Sequence, residues 1–380
     1  AGSAFVELTG GNLGLITGAD TFAFEMQGGT VTVALDPLAN ISADDISVQY
    51  ADASTTVVAG TTINIGTQSF TFVDGISPDS ATLSIQGFSA DVLGLVTITG
   101  DLGFTKATGD FTVADGSAST QLTSVDYLAV GASNLTGSMT AGGVGLTLSS
   151  IELAMVLVSD DANSVNYTAI KASIGSASLT GIPGLTMSVN SLSLQVNQTD
   201  DAANSNRVLD FADTASHSAD DGADALSIAT GSSSVNIDLD GDEGSLLQLA
   251  GNVDFDMFGF VTLTGDFAFK TASGDFTVAD GSTSTQLNSA DYLAIGATNT
   301  TGSMGVGGVG ITLSDVALGM ILVSDDANSV NYTAIKASIG SASLTGIAGM
   351  TINSLSLLVN QTDDTANPSK VLDFADTASH

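Results

Sequence analysis

Clusters of acidic residues are the part of this 380-residue sequence whose side chains could do chemistry. The segment Asp238-Leu239-Asp240-Gly241-Asp242-Glu243 places carboxylates at alternate positions around a glycine. Carboxylate oxygens are the ligands that Ca²⁺ prefers, and the glycine permits a tight turn around the ion. The segment lacks the long loop and distal bidentate Glu of an EF-hand. Asp238, Asp240, Asp242 and Glu243 are therefore candidate calcium ligands, with a solvated turn as the alternative.

A second acidic motif occurs twice. Asp160-Asp161-Ala162-Asn163 recurs as Asp325-Asp326-Ala327-Asn328. Two carboxylates and an amide oxygen could bind one calcium ion. The same residue types form ordinary β-turns, because Asp and Asn side chains hydrogen-bond to the backbone two residues on. Asp160, Asp161, Asp325 and Asp326 complete the set of candidate metal ligands, with a β-turn as the alternative.

No group of residues in the sequence predicts an enzyme. The two histidines, His217 and His380, occupy the same position of a repeat. A Ser/His/Asp triad needs a histidine held in a particular environment by its neighbours. The Ser and Asp residues near His217 are ordinary for a chain rich in both, so we expect no catalytic activity.

The charge balance excludes several classes of partner. The chain has 41 acidic residues against six Lys and Arg, a formal charge of −35. Nucleic-acid binding requires cations that neutralise phosphates, so it is excluded, and docking on anionic lipid is disfavoured. There is no cysteine, and no apolar run approaches the roughly 20 residues of a membrane-spanning helix. We therefore expect neither disulfides nor a membrane span.

The sequence is dominated by a long internal repeat. Residues 158–182 recur unchanged at 323–347, and residues 109–117 recur at 274–282. Such similarity indicates tandem duplication. It divides the chain into a diverged partial repeat at 1–52, a first β module at 53–217 and a second at 218–380.

Local patterns predict strands throughout. Val261-Thr262-Leu263-Thr264 alternates apolar and polar residues, as does Val235-Asn236-Ile237-Asp238-Leu239, and clusters of Gly, Asn, Asp and Ser separate such segments. The fold class is all-β. We expect tandem repeats in an elongated stack of strands, a β-solenoid or β-prism-like architecture. A string of β-sandwich domains is the alternative.

The few cations also follow the repeat. Lys171 and Lys336 occupy equivalent positions. A lone repeated cation in an acidic chain is expected to pair with a carboxylate of a neighbouring repeat, for register more than for stability.

Several segments carry a family resemblance, among them residues 126–134, 143–148, 196–199, 266–270 and 291–299. They resemble repeat modules of giant bacterial extracellular adhesin-like surface proteins. The resemblance implies an extracellular or cell-surface location and possible use of calcium. With the duplication, it predicts a stalk, sheath or filament that assembles from copies of itself or from neighbouring repeats. An adhesin that binds cell-surface glycans or another cell is the alternative.

Overall fold

The computed structural model describes residues 4–35, 38–212, 225–346 and 351–374, apart from the side chains of Ile65, Thr351 and Ile352. Over these ranges the chain is all-β, as the sequence predicts. Its one helical element there is a 3-10 turn, η1, at Gly241–Glu243. No helix of the described ranges is long and apolar enough to cross a membrane.

The strands fall into four groups along the chain. The first group is β1 (Ala4–Thr9), β2 (Asn12–Thr17), β3 (Phe22–Gln27), β4 (Thr30–Leu35), β5 (Ala39–Ala43), β6 (Asp45–Ala51) and the short hairpin of β7 (Thr62–Ile65) and β8 (Gln68–Thr71). The long strands of the second group are β9 (Ser80–Val92), β10 (Val96–Ala114), β11 (Ser119–Ala141), β12 (Val144–Asp160), β13 (Val165–Thr180) and β14 (Leu185–Thr199).

The third group consists of short elements, namely β15 (Val208–Asp210), then β16 (Leu226–Ala229) and β17 (Ser234–Ile237), which form a hairpin, and η1. The fourth group is β18 (Leu246–Met257), β19 (Val261–Ala279), β20 (Ser284–Val306), β21 (Val309–Asp325), β22 (Val330–Thr345), β23 (Thr351–Ile352), β24 (Leu355–Thr362) and β25 (Val371–Leu372).

One antiparallel sheet of 21 strands contains all of these except the hairpins β7–β8 and β16–β17. From β9 to β14 each strand pairs with the next one in sequence, and the same holds from β18 to β22. Strand β14 pairs with β18, so the two runs join directly. The result is a continuous up-and-down meander.

The two copies of the sequence repeat are neighbouring parts of this one sheet. Strands β9–β14 belong to the first copy and β18–β24 to the second, and β14 of the first copy is hydrogen-bonded directly to β18 of the second. A solenoid or prism would stack the copies along an axis, whereas sandwiches would close each copy separately. Both predicted architectures are therefore wrong, because duplication widens this sheet edge to edge. The predicted boundaries at 52/53 and 217/218 stay predictions, and residues 217 and 218, like His380, lie outside the described residues.

Bulges bend many of the long strands. Asn134, Ser191 and Asn299 have φ values of 54°, 57° and 51° and lie within register shifts of their ladders. Each places an extra residue in one strand, which accentuates the local bend. Strands β18 and β19 contain no residue with positive φ, and their mutual ladder has no register shift. Their side chains therefore alternate strictly between the two faces.

Candidate functional site

An apolar face of the sheet is the most extensive surface feature. In β18, Leu247, Leu249, Val253, Phe255 and Met257 are odd-numbered and share one face. Directly opposed residues in a ladder point to the same side of the sheet, so this face can be followed from β18 onto the neighbouring strands. We call each line of directly opposed residues a row. The row that contains Phe255 runs through fourteen strands with only apolar residues or glycine: Ala4, Leu35, Ala39, Val92, Val96, Met139, Leu146, Leu179, Met187, Phe255, Leu263, Gly302, Leu313 and Ala342.

A second row of the same face contains Leu249. It is equally apolar through eleven strands: Leu102, Ala132, Leu153, Ala172, Leu194, Leu249, Phe269, Ile295, Met320, Ile335 and Val359. We call the surface formed by these two rows and the odd-numbered positions between them in β18 the apolar face. Its continuity depends on the unbulged strands, where Leu249 and Phe255 lie on one side by simple alternation.

Nothing within the described residues covers the apolar face. Its Leu, Ile, Val, Met and Phe side chains are exposed or half-buried, and only small residues such as Ala132 are buried. Met139 is 51% exposed and Leu249 is 41% exposed. The three hydrophobic cores contain none of the residues of the two rows. Water-soluble proteins rarely leave so large a contiguous apolar surface free.

The opposite face is polar. The row beside that of Phe255 contains only polar residues across ten strands: Asn40, Asp91, Thr97, Ser138, Thr147, Ser178, Ser188, Asp254, Thr264 and Thr301. Hydroxyl pairs join neighbouring strands on this face, for example Thr97 Oγ1 with Ser138 Oγ at 2.6 Å. We call it the polar face. At this end of the strands the sheet thus separates an apolar side from a hydroxyl- and carboxylate-rich side. Farther along the polar face, Val156 and Ala169 belong to a hydrophobic core.

The hairpin β16–β17 lies on the polar face. Lys171 is on this face because its ladder partners lead to Gln248, an even-numbered residue of β18. Its Nζ lies 2.6 Å from Asp238 Oδ1, just after the hairpin. Lys270 Nζ similarly lies 2.9 Å from Glu243 Oε2 of η1. Two ion pairs therefore join residues 226–243 to the polar face. The largest hydrophobic core forms between these residues and the sheet.

The four candidate metal ligands between Asp238 and Glu243 are drawn into these contacts. Asp238 and Glu243 face lysines, while the carboxylate of Asp240 accepts a hydrogen bond from the Asp242 backbone N at 2.9 Å and caps η1. Among the described residues, no group of three or more His, Cys, Asp or Glu could hold a metal ion. Calcium binding here stays a prediction.

The repeated acidic motif forms turns between long strands. Asp160 accepts a hydrogen bond from Asn163 Nδ2 at 2.7 Å, and Asp325 does the same with Asn328. Asp161 accepts from Ser159 Oγ at 2.9 Å, and Asp326 from Ser324 Oγ at 2.7 Å. These contacts are those of a β-turn, and they are repeated in both copies. The structure places the two pairs in separate turns.

The two ends of the meander differ in character. Alternate turns of a meander lie at the same end, so the acidic turns at Asp115, Asp160, Asp280 and Asp325 lie together. The turns at the other end carry exposed apolar side chains, including Leu93 at 54% exposed and Phe258 at 61%. The sheet is therefore polarised along its strands as well as across its faces.

Backbone and hydroxyl donors shift the pKa of carboxyls in the acidic turns. Asp280 Oδ1 accepts hydrogen bonds from Ser282 Oγ at 2.7 Å, Ser282 N at 2.9 Å and Thr283 N at 2.8 Å, which lower the pKa of Asp280. Burial has the opposite effect at Asp210, whose pKa is raised although Gly241 N donates to it at 3.0 Å. The turn at Asp280 thus favours the charged form of this carboxylate.

Comparison with known proteins identifies no family. No family model matches the chain, and no curated protein matches it. Among solved structures, OpdK of Pseudomonas aeruginosa with vanillate aligns over 93% of this chain and 95% of its own, at 10% identity and a TM-score of 0.17. The outer membrane protein OpdK of the same species aligns over 94% and 97%, at 9% identity and a TM-score of 0.13. These TM-scores are too low to indicate a common fold.

The predicted recognition and function need correction. The resemblance to repeat modules of giant adhesins is wrong, because the two copies pair edge to edge in one meander sheet instead of forming separate stacked modules. The stalk, sheath or filament and the glycan-binding adhesin are wrong with it, as is the homopolymer partner. Physically, a filament grows by stacking its repeats along an axis, and here the copies pair side by side. Of the predicted extracellular or cell-surface location, the coarse cell-surface part is supported.

Sequence reasoning missed the apolar face. The signal was present as an alternation of apolar and polar residues, interrupted only at Ala250 in residues 247–257, and it is much weaker for each segment than that of a membrane helix. It becomes visible only when the registers of neighbouring strands are known.

Proposed function

We propose that the protein is embedded in a membrane through the apolar face and that its polar face lines a passage for hydrophilic solutes. The observation that carries this proposal is the uncovered apolar face, which faces away from the ion-paired hairpin β16–β17. The finer location that follows is the outer membrane of a cell, with the sheet in contact with lipid.

The dimensions of the apolar face support the proposal. Residues 247–257 of β18 are 11 residues long, and at about 3.3 Å per residue they extend about 36 Å. A strand tilted by about 45° then rises about 25 Å, the height of the apolar band in membrane-spanning sheets. Membrane-spanning strands need only about 9–11 residues. Short alternating segments therefore suffice where no long apolar run exists.

The polar face supports a passage rather than a simple anchor. Its rows of Ser, Thr, Asp and Asn suit contact with water, and carboxylates such as Asp254 favour cations over anions. The hairpin β16–β17 occupies part of this side and would narrow the passage.

The sheet edges set a requirement for this proposal. Within the described residues, β1 has only β4 as a hydrogen-bonded neighbour, β2 has only β3, and β24 has only β22. Unpaired backbone groups cost several kcal/mol each in hydrocarbon, so these edges must be paired in the membrane. Slow amide exchange of β1, β2 and β24 in lipid vesicles would support the proposal, and fast exchange there would contradict it.

Fluorescence quenching tests the embedding. The chain has no Trp, so single substitutions give unambiguous probes. We expect brominated phospholipid to quench the Phe255→Trp variant, on the apolar face, several-fold more than the matched Thr264→Trp variant on the polar face. Equal quenching, or a failure of both variants to associate with vesicles, would overturn the embedding.

Conductance across a planar bilayer tests the passage. We expect stepwise, cation-selective currents from the intact protein. Strong quenching of the Phe255→Trp variant without any current would leave the protein embedded and would disprove the passage.

A further inference from the structure

Two residues at the same repeat position differ greatly in exposure. Phe211 is 5% exposed, whereas Phe374, its equivalent in the second copy, is 63% exposed. Both follow a short strand that pairs with the end of a long one, β15 with β10 and β25 with β19. The local backbone is therefore the same, and the difference lies in what covers each phenylalanine.

The hairpin β16–β17 covers the first copy. It is amphipathic, because Ile228 and Ile237 point to the sheet and are 3% and 0% exposed, while Ser227 and Asn236 face solvent. It packs with Val156 of the sheet in one core. Just after the hairpin, the carbonyl of Leu239 accepts a hydrogen bond from the backbone N of Phe211 at 2.8 Å.

The equivalent surface of the second copy is an open cleft of about 840 Å³. It is lined by Ile321, Ala334, Lys336 and Phe374, among others. Val156 and Ala169, the equivalents of Ile321 and Ala334 in the first copy, are each 0% exposed, whereas Ile321 and Ala334 are half-buried. No described segment covers them as residues 226–237 cover the first copy.

Glycines show that the cleft retains space for a hairpin. At Gly131 of the first copy, a Cβ would lie 2.2 Å from the carbonyl oxygen of Ala229 in the hairpin. At Gly296, the equivalent residue of the second copy, the nearest atom to such a Cβ is 4.0 Å away. The space above Gly296 that a hairpin would occupy is therefore open.

The charge of the cleft also suits a hairpin like that of residues 226–237. Lys171 binds Asp238, which follows the hairpin of the first copy. Lys336, its equivalent, is exposed, and it makes no ion pair within the described residues. A segment that placed a carboxylate one residue after its second strand would restore the missing pair.

We propose that this cleft binds a β-hairpin of the type formed by residues 226–237, with the acidic residue after its second strand against Lys336. The partner is a polypeptide segment with this alternation and this terminal Asp-x-Asp pattern. The chain's own hairpin does not supply it, because that segment is already seated on the first copy. The inference does not depend on membrane insertion.

One difference between the copies limits how the hairpin sits. Gly103, the other glycine beneath the Ala229 carbonyl, would place a Cβ 2.2 Å from that oxygen, and its equivalent is Ala268. The methyl group of Ala268 must therefore push the hairpin tip away from the sheet. We expect Ala268→Gly to tighten binding about ten-fold.

Titration with a synthetic peptide tests the site. An isolated two-stranded hairpin is marginally stable in water, so the peptide spans residues 225–244 and carries Ser227→Cys and Asn236→Cys, closed as a disulfide. These two residues are directly opposed and exposed, so the disulfide leaves the apolar side free. A fluorescent label reports binding to the intact protein by anisotropy.

We expect saturable binding at one site, weakened at least ten-fold by Lys336→Glu and recovered with a peptide that carries Asp238→Lys. The Phe374→Trp variant should shift its emission to the blue on binding, while Phe211→Trp, already covered, should not. No saturable binding to either the native protein or Ala268→Gly would overturn the proposal. Loss of binding with Lys171→Glu but not with Lys336→Glu would also overturn it, because the peptide would then exchange with the chain's own hairpin.

Discussion

Lys171 Nζ and Asp238 Oδ1 lie 2.6 Å apart, although 67 residues separate them in sequence. The pair connects the polar face of the sheet to the end of the hairpin β16–β17. It realises the pairing expected for a repeated cation in an acidic chain, within one molecule and across the boundary between the two copies.

The ion pair between Lys171 and Asp238 should contribute little to stability. Both side chains are partly exposed, at 34% and 53%, so solvent screens them and we expect a coupling of about 0.2–1 kcal/mol. A double-mutant cycle with Lys171→Ala and Asp238→Ala in urea unfolding measures it. The pair Lys106–Asp79, at 3.9 Å and 55% and 46% exposed, is the control and should couple less. A coupling of zero for Lys171 and Asp238 would show that the hairpin gains nothing from this pair.

Adjacent residues of β19 should respond oppositely to a charge. Leu263 lies on the apolar face and Thr264 on the polar face. In vesicles we expect Leu263→Lys to destabilise the protein by about 2–4 kcal/mol, the cost of a lysine near the middle of the bilayer. Thr264→Lys should change stability by less than about 1 kcal/mol because it faces water. Unfolding in urea with vesicles present measures both, and equal costs would contradict the assignment of faces.

The two equivalent phenylalanines give a matched test of packing. We expect Phe211→Ala to lower the free energy of unfolding by about 3–5 kcal/mol, because it opens a cavity in the core beside Phe111. Phe374→Ala should change it by no more than about 0.5 kcal/mol, as exposed positions generally do. Denaturant unfolding of the detergent-solubilised protein measures both values. Similar losses would mean that the second cleft is filled in solution.

Acid should weaken the turn that contains Asp280. The pKa of Asp280 is lower in the folded protein than its ordinary value of 3.8, because the turn donates hydrogen bonds to the carboxylate. The folded state therefore gains stability from Asp280 above about pH 4 and loses it as the pH falls through the lower, folded-state pKa. Thermal unfolding between pH 7 and pH 2 should show a steeper acid loss for the native protein than for Asp280→Asn. Parallel curves would exclude this contribution.

The candidate site was only partly accessible to sequence reasoning. The acidic motifs, their repetition and the equivalence of Lys171 and Lys336 are legible from residue types and spacing. That Asp238 and Glu243 face lysines of the sheet is not, because the contacts join segments far apart in sequence. The open cleft beside Phe374 could not be predicted either, since identical sequence in the two copies predicts identical environments.

The sequence by itself determined the strands, their alternation and the duplication, because these depend on local side-chain order. The alternation of Val261-Thr262-Leu263-Thr264 is the same in a solenoid, a sandwich or a meander. Only the tertiary structure decided which strands are neighbours, since strands pair through backbone hydrogen bonds, which do not depend on the identity of the side chains. That choice placed the copies side by side, aligned Phe255 with Leu263 across their ladder, and assembled scattered apolar residues into one continuous face.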